Sequence, residues 1–214
     1  MNLNKIKYHL FFYVIFLMTL MTVFCNTAYC NDDIDLKDPK NYFYDRYHSC
    51  GGNLKYEDYY NKSVAAFEKK DVKNTLFYLN NVLKYRLITR EAFNLYGCAL
   101  IFSGDYPGAE IFLKKAVKNS PEYKNSYMNL GLLFIKTEKW KALKEVSETY
   151  LSMSSTDFEA NFGAGMAAYQ LFDYREAAYY FDAAWAVRDK CGNVNFIDVL
   201  NDYRRRVRAK SRSF

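Results

Sequence analysis

Proline and glycine are scarce in this chain, three and nine among 214 residues. A fold of many short strands needs a turn residue every few positions, so the shortage excludes a turn-dense β architecture and favours long helices. Histidine is scarcer still, with two in all, and only His48 lies beyond residue 30. The chain has no glycine-rich phosphate loop, no HExxH and no GxSxG, the motifs by which common enzyme classes hold a phosphate, a zinc ion or an activated serine. His48 and Cys50 stand close in sequence, but near neighbours in a loop rarely hold a base against a nucleophile. No cysteine spacing makes a metal-ligand or redox motif. These absences point away from catalysis and imply neither cofactor nor metal.

One-signed charge is also missing from the body of the chain. The net charge of +6 is carried by residues 204–214 (RRRVRAKSRSF), and the preceding 203 residues hold 24 basic and 24 acidic side chains. What the chain does have is apolar and aromatic mass, with 50% hydrophobic residues, 17 Phe and 21 Tyr. That is enough for a real core in one domain plus appendages, with many half-buried rings whose hydroxyls stay wet.

The longest apolar run, Leu10 to Phe24, is short for a membrane span of ~20 residues. Lys5 and Lys7 precede it and the small-x-small pattern Ala28-Tyr29-Cys30 follows. A basic start, an apolar centre and small residues are the parts of a signal peptide cleaved after Cys30, with an uncleaved anchor as the alternative. Export to a periplasmic or secreted location leaves Cys50, Cys98 and Cys191 where disulfides can form. Cys50 and Cys191 each precede a glycine in an apparent loop, which makes them the candidate pair by exposure. They flank opposite ends of the central region, however, and a disulfide needs Cα atoms within ~7 Å.

Internal periodicity is the strongest signal. Gly97, Gly131 and Gly165 are spaced 34 apart, in the settings Phe93-x-x-Tyr96-Gly97-x-x-Leu100, Tyr127-x-x-Leu130-Gly131-x-x-Phe134 and Asn161-x-x-Ala164-Gly165-x-x-Ala168. Twelve residues beyond each glycine stand Ala109, Leu143 and Ala177. Next come Leu113, Ser147 and Phe181, then Ala116, Tyr150 and Ala184. A degenerate copy lies upstream, around Tyr59-x-x-Lys62-Ser63-x-x-Ala66. Gly104-Asp105 and Phe172-Asp173 mark helix–helix turns at which the aspartate can cap the next helix, and Lys139-Trp140 takes that place in the intervening copy.

This pattern resembles the tetratricopeptide repeat. The resemblance implies an all-α, right-handed α-solenoid of four helix-turn-helix repeats at 56–89, 90–123, 124–157 and 158–190. Residues 31–55 precede the array as an aromatic-rich segment. In residues 191–214, Phe196, Leu200, Tyr203 and Val207 mark a capping helix over 195–210. Gly97, Ala109, Ala116, Gly131, Gly165, Ala177 and Ala184 are the small residues that let paired helices approach. The copy at 124–157 departs most, in its second helix, where Ser147 and Tyr150 stand.

In this family the first helices line a concave groove that takes peptides or helices. The positions carried over are Tyr60, Val64 and Phe67; Asn94, Cys98 and Ile101; Met128, Leu132 and Ile135; and Phe162, Met166 and Tyr169. The set is mostly apolar and implies an apolar or amphipathic segment of another protein as partner. Charges placed at Leu132 and Met166 are then expected to abolish capture with little effect on melting. Two other readings stay open: some of these residues are core, or residues 31–55 fill the groove with Tyr42, Phe43, Tyr44 and Tyr47. The basic end, Arg204, Arg205, Arg206, Arg208, Lys210 and Arg212, either complements a helix C-terminus or attracts an anionic membrane surface. An exported protein seldom meets nucleic acid, so none is expected. The reading is an adaptor or assembly factor of the envelope or secretory compartment, with a self-associating structural protein as the alternative.

Overall fold

A computed structural model of the chain describes residues 35–45, 54–85, 89–191 and 195–211. Among them are nine α-helices and no strand: α1 (Leu54–Glu68), α2 (Val72–Val82), α3 (Arg90–Ser103), α4 (Tyr106–Asn119), α5 (Lys124–Lys136), α6 (Trp140–Leu151), α7 (Phe158–Gln170), α8 (Tyr174–Ala186) and α9 (Asn195–Ser211). Each odd-numbered helix from α1 to α7 pairs with the helix after it. Neighbouring pairs stack so that α1, α3, α5 and α7 form one layer and α2, α4, α6 and α8 the other. Such an array is an α-solenoid, because each pair buries its apolar face only against the next pair.

The turns inside the pairs repeat as strictly as the helices. Lys70, Gly104, Glu138 and Phe172, each 34 residues from the next, hold positive φ values of 62°, 93°, 55° and 65°. A left-handed residue reverses the chain at the end of each first helix, and only Gly104 is free of a Cβ penalty there. The next residue caps the second helix. Asp71, Asp105 and Asp173 accept from the main-chain N–H groups of Asn74, Gly108 and Glu176, an arrangement worth about 1 kcal/mol each. Lys139, in the same place before α6, makes no such bond.

The small residues act where two backbones close up. A Cβ added at Gly97 would lie 2.5 Å from Leu113 Cγ, and one at Gly165 would lie 2.6 Å from the Phe181 ring. Ala109, Ala116, Ala177 and Ala184 are buried in the same seams. Between the third and fourth pairs, Lys124 reaches Asp157 and Glu159, each at 2.7 Å. Helix α9 then covers the last pair, packing on α8 and α7 with Phe196, Leu200, Tyr203 and Val207 buried. Removing four such side chains from water contributes about 1.5–3 kcal/mol each. Among the described residues, no helix is long and apolar enough to cross a membrane.

Candidate functional site

The layer of first helices, α1, α3, α5 and α7, carries all twelve residues assigned to a groove, and every one of them is buried. Two elements of the chain itself cover them. Over the fourth pair, α9 sets the Phe196 and Tyr203 rings 5.9 and 6.3 Å from Phe162, and Tyr203 also lies 5.3 Å from Tyr169. Over the first three pairs runs a strap, residues 36–45, which leaves a short 3₁₀ turn at Pro39–Asn41 in extended conformation. Of the open readings, filling by the chain's own aromatic segment is the arrangement seen for the described part, Tyr42, Phe43 and Tyr44. Tyr47 lies outside the described residues.

The strap is gripped by its main chain at one point. Asn94 on α3 and Asn129 on α5 are both fully buried. Asn129 Oδ1 accepts from the Phe43 N–H at 3.1 Å. The Phe43 carbonyl accepts from Asn129 Nδ2 at 2.6 Å and from Asn94 Nδ2 at 2.7 Å. The second proton of Asn129 Nδ2 goes to Asn94 Oδ1 at 2.9 Å, which also takes the Ser126 hydroxyl at 3.3 Å. Both main-chain polar groups of one residue, Phe43, are thus satisfied by two carboxamides that also brace each other, as a buried amide pair requires.

Side chains then alternate to opposite sides, as in any extended strand. Tyr42 and Tyr44 both turn to Phe67 on α1, with ring centroids 5.6 and 5.4 Å away and edges to the face. Phe43 points the other way, toward Tyr127, Met128 and Ala160 and to within 6.2 Å of the Phe196 ring. At one end Lys37 donates to the Phe102 carbonyl at 2.6 Å, a cation on the last turn of α3. At the other, the Asp45 carboxylate accepts from the Tyr123 hydroxyl at 2.5 Å and from Asn125 Nδ2 at 3.5 Å. The Asp45 carbonyl takes the Tyr60 hydroxyl at 2.8 Å. Burial raises both phenols above the ordinary tyrosine range, and the nearby Asp45 carboxylate adds to it. They therefore stay protonated donors at any physiological pH.

Sequence spacing placed Asn94 on the groove but missed Asn129, Asn125 and Tyr123. Asn129 stands one residue past the repeat position held by Met128. Its signal is an amide in the otherwise apolar run Tyr127 to Ile135. The expectation for charges at Leu132 and Met166 is also corrected. Met166 is fully enclosed and Leu132 nearly so, so a carboxylate at either would break the core rather than a docking face. Cys98 is buried and burial pushes its thiol well up, which keeps it protonated and inert. Cys50 and His48 lie outside the described residues, and with them the pairing of Cys50 with Cys191.

The basic end is largely helical. Arg204 donates to Asp182 at 2.8 and 2.9 Å and stacks 4.5 Å over Trp185. Arg206 pairs with Asp202 and lies over the Tyr203 ring. Arg205, Arg208 and Lys210 are exposed, and Arg212 is beyond the described residues. Among those residues, no cluster of three or more His, Cys, Asp or Glu side chains is placed to hold a metal ion.

No protein-family model matches the chain, and no curated protein matches it. Solved structures do. MamA 41-end from Desulfovibrio magneticus RS-1 aligns with a TM-score of 0.58 at 21% identity, over 75% of this chain and 97% of that one. The MamA RS-1 ArsTM double mutant gives 0.58 at 20%, with the same coverage. A tetratricopeptide repeat protein from Parabacteroides merdae gives 0.60 at 18%, over 72% of this chain and 64% of that one. At these identities the likeness is one of fold, and the fold of this chain is that of the tetratricopeptide-repeat solenoids.

Proposed function

We propose that the chain is a non-enzymatic interaction scaffold working outside the cytoplasm, as an adaptor or assembly factor of the cell envelope or a secretory compartment. The observation that carries this reading is the grip of Asn94 and Asn129 on the Phe43 peptide. A concave face that holds an extended chain by its main chain has the parts needed to hold a segment of another protein. The repeat-solenoid fold supports a scaffold role by analogy. Export is supported by Lys5, Lys7, the apolar run from Leu10 and the Ala28-Tyr29-Cys30 pattern.

The test is recovery of the tagged full chain from its native host, beside an Asn94→Ala/Asn129→Ala variant of equal helical content. The expected result is an envelope or secreted protein that brings down one partner in stoichiometric amount, confirmed by tagging that partner. The variant should retain about a tenth of it, the loss that follows from removing a buried pair of contacts. A cytoplasmic chain would sink the compartment, and equal recovery on both baits would move binding off the groove. A mass that rises with concentration and no second protein would favour the self-associating alternative.

A further inference from the structure

We propose that residues 42–45, Tyr-Phe-Tyr-Asp, occupy the groove as an internal stand-in for its ligand, and that the ligand is an extended acidic-aromatic segment of another protein. The proposal rests on the scaffold reading and adds the chemistry of the occupant.

Three features of the strap carry it. First, the central hold is on the main chain and not on a side chain: Asn94 and Asn129 make three bonds to the N–H and C=O of residue 43. Any extended segment presents those groups, so a foreign strand can take the same bonds in the same register. Second, alternate side chains have separate seats. Phe67 receives the rings at places 42 and 44, and the α7–α9 side receives the ring at 43. Third, the carboxylate at place 45 is read by side chains of the array, the Tyr123 hydroxyl and the Asn125 amide. A bond between a donor and a charged carboxylate is about twice as strong as a neutral one, which makes the acid the most selective place of the four.

The polar groups of this interface regain water when strap and groove part, so release leaves no orphaned donor or acceptor. An incoming segment competes with a strap in the same chain, and its apparent affinity is lowered by the fraction of molecules with the groove open.

The experiment titrates a fluorescent synthetic peptide with the sequence of residues 38–47 into the full chain. It is compared with a Tyr42→Ser/Phe43→Ser/Tyr44→Ser variant that empties the seats, and with that variant carrying Asn94→Ala/Asn129→Ala as well. The emptied chain should bind at least about tenfold tighter than wild type, because the competing strap has lost its ring contacts and holds the groove less tightly. Loss of the two asparagines should abolish binding, and a peptide with Asn in the place of Asp45 should bind about tenfold more weakly. An emptied chain that stays folded and does not bind overturns the proposal. So does a wild-type chain that shows no binding at about 1 mM peptide, near the weakest affinity worth the name, since the strap would then be a fixed part of the fold.

Should the emptied chain fail to fold, hydrogen exchange on wild type decides. Added peptide must speed exchange of the Phe43 amide while the amides of α3 and α5 stay protected, and unchanged protection overturns the proposal. Wild-type oligomers dispersed by the peptide would name a second copy as the occupant and overturn the foreign segment. If the peptide fails but a partner is still captured in an asparagine-dependent way, the scaffold reading stands and only this ligand class falls.

Discussion

The pairs α3–α4 and α7–α8 and the pair α5–α6 share one 34-residue pattern, yet they use their central glycine differently. In the first two, a Cβ at Gly97 or Gly165 would run into Leu113 or Phe181 at 2.5–2.6 Å. In the third, a Cβ at Gly131 would meet only Leu143 Cδ1 at 3.5 Å, an ordinary contact. The cause is sixteen residues downstream, where the large side chain of the other pairs is replaced by Ser147. The space that Ser147 leaves is used from the other side: Gly163 on α7 sits so close that a Cβ there would lie 2.7 Å from the Ser147 hydroxyl. Close approach has moved from within the repeat to the junction with the next one. The same pair lacks the aspartate cap, with Lys139 where its neighbours have Asp105 and Asp173. A repeat pattern therefore marks where backbones can close, and a single downstream residue decides which pair of backbones does.

The largest effect that breaks this contrast is expected at Gly165. Gly165→Ala drives a methyl into a Phe181 ring already held by Phe162 and Tyr203, so overpacking should cost about 2–3 kcal/mol by denaturant unfolding. Gly97→Ala meets the more adjustable Leu113 and should cost about 1–2 kcal/mol. Gly131→Ala should go the other way. With the methyl in ordinary contact with Leu143 and no clash, replacing a mid-helix glycine is expected to stabilise by about 0.5–1 kcal/mol. Three glycines of one pattern giving the same sign would defeat the packing account. A smaller gain is expected from Lys139→Asp, which supplies the missing cap of α6. A cap contributes about 1 kcal/mol, partly offset by the loss of the exposed Lys139–Glu110 pair, worth under about 1 kcal/mol.

The same contrast shows what local sequence can reveal. The 34-residue spacing, the capping aspartates Asp105 and Asp173 and the cap helix marked by Phe196, Leu200, Tyr203 and Val207 were legible, because helix packing projects onto the chain as a period. The left-handed turns at Lys70, Glu138 and Phe172 carry no such signal, since only Gly104 announces its conformation. The occupant of the groove was legible only as one of several open readings. Tyr60, Val64, Met128 and the other concave residues have the same pattern whether a foreign segment or the chain's own strap covers them. The strap's main hold is on the main chain of Phe43, which has no sequence signature. Asn129 and Tyr123, which complete the site, fall outside the repeat positions.

The smallest expected effect tests the seam between the second and third pairs through pH. Glu110 on α4 accepts from Lys114 at 2.6 Å and from Lys139 at 2.7 Å. Those bonds, Lys114 first and Lys139 second, hold its carboxyl below the usual range. A carboxyl whose folded value is depressed contributes stability that is fully present above the unfolded value of about 4.3 and is lost as pH falls through the folded value. With both lysines about half exposed or more, the contribution is at most about 0.5 kcal/mol. Unfolding measured from pH 6 down to pH 3 should therefore show a slightly shallower acid-side loss in Lys139→Ala than in wild type, and shallower again in Lys114→Ala. Identical slopes in all three proteins would mean that Glu110 does not couple the regular pair to the irregular one. The difference between the third repeat and its neighbours would then rest on Ser147 and the absent cap alone.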